Sequence, residues 1–167
     1  MSLLRSIDAA VARWERGVAV GLLAITVVLV VLQVFFRYVL NSSLSWSEEA
    51  ARYLFIWAAL LGFSSSVEAG RLFRFELLFM HLPRAGRLGC QATFALAAAV
   101  FLWVIVVHGG YLVKGTLTQS SPAMNLPMGI PYAALPACGL LVSLHFIAAL
   151  AGARPQRADP GDGVAGV

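Results

Sequence analysis

From position 17 to position 36 the chain reads GVAVGLLAITVVLVVLQVFF, with a single amide, Gln33, and no charged side chain. At ~1.5 Å of rise per residue, a helix of this length spans the ~30 Å hydrocarbon core of a bilayer. Backbone amides and carbonyls find no water there, so the run must take a form that satisfies them internally, which is a helix. It is longer than the core of a signal peptide, and no small-x-small cleavage site follows, so it is expected to persist as a first span. Similar runs recur downstream. The composition agrees, with 60% of the 167 residues hydrophobic and 12% charged and a mean hydropathy of +0.83, against ~25% charged residues in soluble domains. The expected fold is all-α and integral to the membrane. It has one domain over 1–151, with four transmembrane helices at about 17–37, 45–67, 88–113 and 129–150. The last stretch, 152–167, has the Gly, Pro and charge content of a disordered cytoplasmic tail.

The charges between the first two runs need a reason to be there. Arg37 ends the first run, and Glu48, Glu49 and Arg52 stand at the start of the second. Charged groups at such places must pair, face protein or reach headgroups. Ser45 and Glu48 fit an S-x-x-E capping box, and both glutamates lie at the positive end of the helix dipole. Arg52 follows Glu48 by four positions and Glu49 by three, offsets at which helical side chains meet. We therefore expect a helix from about Ser45 with a charged collar on its first two turns. Arg37, Glu48, Glu49 and Arg52 would form one network locking the first two spans, with either glutamate a candidate partner for Arg37. Snorkelling to headgroups is the plainer reading of the same residues.

Upstream, Leu3, Leu4, Ile7, Val11 and Trp14 recur at helical spacing, and Arg5, Asp8, Arg13, Glu15 and Arg16 take the other positions. This reads as a short amphipathic N-terminal helix lying on the membrane, or as an extension of the first span into water. Between the second and third runs, Arg71, Arg74, Arg84 and Arg87 form the densest basic cluster, expected as cytoplasmic anchors in the headgroup region. Counting Arg and Lys sets the topology. With the N-terminus inside, nine lie on cytoplasmic segments, while Arg37, Arg52 and Lys114 lie outside. This asymmetry predicts N-in, C-in.

Several chemistries are disfavoured. The pI near 9.6 comes from arginines spread between apolar runs, with no continuous basic face for nucleic acid. Cys90 and Cys138 have neither disulfide-framework nor metal-ligand spacing. His108 and His145 fall near opposite ends of their spans, well over ~10 Å apart in depth, too far to share a haem iron. A satisfied or headgroup-facing histidine is the better expectation. Ser64, Ser65 and Ser66 read as small packing residues. No catalytic triad or phosphate loop is present, so neither an enzyme nor a bound cofactor is expected. In SPAMNLPMGIPYAALP, Pro131 suits the first turn of a helix, whereas Pro136 should open or kink the fourth span. Pro122, Pro127 and Pro131 stiffen a loop and are candidates for a docking surface.

RYVLNSSLSWSEEAARYLFIWAALLG at 37–62 carries Arg-Tyr, Trp-Ser-Glu-Glu and Ala-Arg-Tyr-Leu elements, and RLFRFELL with Leu82-Pro83 and the SPAMNLPMGIPY loop follow it. On these motifs the chain resembles the small, DctQ-type membrane subunit of tripartite ATP-independent periplasmic (TRAP) transporters over nearly its whole length. Glu76 stands where that family often has aspartate, and Leu72 and Phe73 are unusually apolar for it. The resemblance implies a multi-pass protein of the bacterial inner membrane, in contact with lipid, that acts as static scaffold in a sodium-coupled importer of organic acids. Its implied partners are a large elevator-type membrane subunit and a periplasmic substrate-binding protein. Arg37, Trp46, Glu48, Glu49, Arg52, Pro122, Pro127 and Pro131 would then be structural or interface residues. Two other classes compete with this reading. A proton-coupled four-span exporter would need Glu48 or Glu49 as its membrane carboxylate, and a membrane anchor for a redox enzyme would show haem.

Overall fold

A computed structural model describes residues 2–42, 44–68 and 84–150. They form α1 (Ser2–Tyr38), α2 (Ser45–Glu68), α3 (Arg84–Thr116), a short α4 (Gly129–Tyr132) and α5 (Ala134–Leu150). α1 lies along α2, α2 also packs on α5, and α5 packs on α3, with only lighter contact between α1 and α5. Among the described residues, four stretches are long and apolar enough to cross a membrane: Ser6–Tyr38, Ser45–Glu68, Ala92–Thr116 and Gly129–Leu150. The last joins α4 and α5.

α1 is one helix of 37 residues, ~55 Å long at 1.5 Å per residue. The segment before position 17 therefore continues the first span and is not a separate helix. Its sidedness is the reverse of a soluble amphipathic helix. Asp8, Ala12, Glu15, Ala19 and Thr26 are buried, while Leu4, Ile7 and Trp14 are exposed. Small residues let helix backbones approach, and polar ones bond across the contact, while large apolar side chains can face outward in lipid. Arg16 reaches Glu68 at the far end of α2 at 3.6 Å, so the two helices close an antiparallel hairpin at both ends. Asn41 closes the upper turn with a φ of 48°, a left-handed conformation that Asn tolerates better than most residues.

The packing between α2, α3 and α5 is tight for two reasons. Val67, Leu102, Cys138 and Val142 form a buried cluster with Leu60 and Phe146 against it. Two glycines then allow α3 and α5 to touch. A Cβ at Gly139 would lie 2.9 Å from Val106 Cγ2, and one at Gly109 3.0 Å from Pro136 Cδ. The fourth span is broken at Ala133, as Pro136 predicts. Proline has no N–H to donate back to Tyr132, so α4 ends and a new helix starts with Pro136 in its first turn. The break stays bonded through Ala133 N–H to Gly129 O (2.9 Å) and Ala137 N–H to Ala133 O (3.1 Å).

Candidate functional site

The loop between α3 and α4 is folded on itself. Ser120 and Pro127 pair as an antiparallel bridge. Ser121 N–H donates to Leu126 O at 2.8 Å, Met128 N–H to Gln119 O at 2.8 Å and Asn125 N–H to Ser121 O at 3.1 Å. Asn125 takes the left-handed region with φ 53°, which turns the chain sharply. The successive amides of Ala123 and Met124 then point to one side, a concavity suited to an anion.

Glu49 fills it. Its Oε2 accepts from Ala123 N–H at 3.0 Å and Met124 N–H at 2.9 Å. Tyr53, one turn on, donates its hydroxyl to Oε1. The phenol oxygen also lies 3.2 Å from Met128 Sδ. Glu49 and Ser121 are both buried, so the carboxylate ties the start of α2 to the loop through charge-assisted bonds, the strong class of hydrogen bond. The arrangement fixes a shape. Its carboxylate is committed to donors from its own chain.

The four expected collar residues therefore separate. Glu48 meets Arg52 at 3.4 Å, with both side chains mostly in solvent (61% and 64% exposed). Glu49 turns into the loop. Arg37 is exposed, and among the described residues it forms no ion pair. The single four-charge network is thus replaced by an exposed pair, a buried clasp and an exposed arginine outside both, with Glu48 and Glu49 parted because neighbouring helical positions point ~100° apart. Trp46 is exposed at the start of α2. Pro122 and Pro127 are exposed on the loop, and Pro131 is buried in α4. Arg84 and Arg87 fall in the first turn of α3, and Arg71 and Arg74 lie outside the described residues.

A second polar centre lies at the other end of the bundle. His145 Nδ1 is 2.6 Å from Asp8 Oδ1, and its Nε2 is 3.2 Å from both oxygens of Glu15. Ser64 donates to Glu15 Oε1 at 3.2 Å. Read from the sequence, Asp8 and Glu15 belong to a polar, water-facing side, but they are buried. The signal was present: both acids share a helix face with Ala12 and Ala19, the small residues that mark packing. The other serines of the triplet bond locally, Ser65 and Ser66 both donating to Gly62 O. His108 is exposed on α3, with Nδ1 3.2 Å from Val104 O.

Residues 26–155 match the family described as tripartite ATP-independent periplasmic transporters, DctQ component. A protein of Haemophilus influenzae named as a TRAP transporter small permease is 30% identical over 131 residues, covering 78% of this chain and 81% of that one. The chain belongs to the DctQ family. The sialic acid TRAP transporter small permease protein SiaQ of Vibrio cholerae is 29% identical over 124 residues, 69% of this chain and 72% of its own. The isethionate TRAP transporter permease protein DctMQ of Oleidesulfovibrio alaskensis is 31% identical over 144 residues, which are 79% of this chain but 22% of that longer protein. As a DctQ component the chain is a transport subunit and not an enzyme. It is a multi-pass protein of the bacterial inner membrane that pairs with a large permease and a periplasmic binding protein.

Proposed function

We propose that this DctQ chain is the static scaffold of a sodium-coupled importer of organic acids, with both termini in the cytoplasm. The carrying observation is the Glu49 clasp. Three donors from the chain itself converge on this buried carboxylate at the start of α2. A coupling carboxylate must exchange its partners during a cycle, and a clasped one holds geometry instead. Substrate and sodium sites then reside in the large permease, and this chain presents its loop and the outward faces of its spans to that partner. Those faces are apolar over long stretches, as at Val20, Val27 and Val31 on α1 and Leu96, Val100 and Trp103 on α3. The organic-acid class is supported by the sialic acid and isethionate named for two relatives, both of them organic anions.

Reconstitution tests the assignment. Liposomes holding only this chain should show no substrate-dependent sodium uptake. Adding the large permease and the binding protein should restore it. Uptake by this chain alone would overturn the scaffold reading.

A further inference from the structure

The buried contacts of His145 constrain its protonation state. Each ring nitrogen faces a carboxylate oxygen: Nδ1 faces Asp8 and Nε2 faces Glu15. A neutral imidazole has one N–H and one lone pair, so with both carboxylates ionised one contact would set lone pair against lone pair. An imidazolium donates at both. Glu15 and His145 are fully buried, at 0% exposure. Besides His145, the described donor to Glu15 is a neutral hydroxyl, Ser64. A buried carboxylate needs more than that to offset its lost hydration, and a charge-assisted bond from the ring supplies it.

The polar and ionisable groups described around the ring come from three helices. α1 contributes Asp8 and Glu15. α2 contributes Ser64 and, towards its end, Glu68, which pairs with the half-exposed Arg16. α5 itself adds the buried thiol of Cys138. Along α3, positions 94–107 carry no titratable side chain. His145 bonds to both carboxylates, and the described residues hold no cluster arranged to bind a metal ion.

We propose that Asp8, Glu15 and His145 form a proton-binding site, in which a proton on the imidazole bridges both carboxylates and locks the N-terminal turns of α1 onto α5. The lock stands while the proton is bound and opens when alkaline conditions remove it, because two carboxylates then face a ring with one N–H. The site lies at the opposite end of the bundle from the Glu49 clasp and holds whether or not the transport reading does.

Two measurements test it. In the full chain with His81→Gln and His108→Gln, His145 is the remaining histidine, and 15N NMR should show hydrogen on both of its ring nitrogens at neutral pH. A neutral ring there, with the proton on a carboxyl group, would overturn the proposal. The second measurement uses Glu15→Gln, whose amide N–H donates to Nε2 of a neutral imidazole and removes the need for the extra proton. Hydrogen exchange of α1 amides before position 17, corrected for intrinsic rate, should rise on the order of tenfold from neutral to alkaline pH in the unmodified chain. In Glu15→Gln the rise should stay below about twofold. Equal alkaline sensitivity in the two proteins would sink the lock.

Discussion

Glu48 and Glu49 are chemically identical neighbours with opposite fates. Glu48 reaches an exposed arginine on its own helix. Glu49 holds amides 74 and 75 positions downstream. Removing each should show the difference. Glu48→Ala should cost about 0–1 kcal/mol of stability, the range of exposed pairs. Glu49→Ala leaves the amides of Ala123 and Met124 without their acceptor and should speed their hydrogen exchange and reduce recovery of the complex with the large permease. A larger loss from Glu48→Ala would reverse this account. Arg37→Ala should add to Glu49→Ala without coupling, since Glu49 is bonded elsewhere. The charges were visible in the sequence as a group needing an explanation. Their partition was not, because the decisive partner is backbone N–H, which carries no residue signature.

At the scale of elements, the fourth span shows how proline and glycine act together. Pro136 ends one helix and starts the next, and Gly109 on α3 accommodates its ring. Gly139 then brings α5 against Val106 and Ile105. Gly139→Ala forces a methyl into these side chains and should destabilise the solubilised protein by about 1–3 kcal/mol, as overpacking does. Gly110→Ala, on the same stretch of α3, meets nothing within 4 Å and should be neutral or mildly stabilising, since Ala favours helix by up to ~1 kcal/mol. Thermal unfolding in detergent checks both, and equal effects would contradict the close approach. The proline break was legible beforehand, because a missing N–H is a local property. Which glycines sit at the crossing was not, since that depends on the register between two helices.

For the whole molecule, the arginine asymmetry sets the expected orientation. In a background without Cys90 and Cys138, a cysteine at Gln119 should react with an impermeant reagent from the periplasmic side. One at Ala85 should not. Labelling of position 85 from outside would invert the topology and place the His145 site on the periplasmic face. The arrangement also explains how a chain so rich in exposed apolar side chains is stable. Its polar and small groups hold the helices together, and its large apolar ones are left for lipid and for the large permease.

The number of spans, their approximate places and the break at Pro136 follow from sequence alone, because hydrocarbon thickness and a missing N–H act on consecutive residues. The motifs at 37–62 and in the proline loop likewise carry the family. Tertiary structure decided which face of α1 is inside, so that Asp8 and Glu15 meet His145 across 137 and 130 positions. It also decided that Glu49 closes a loop far along the chain while Glu48 stays in solvent. Those outcomes depend on helix register and on backbone donors from distant turns, which neither composition nor local periodicity encodes.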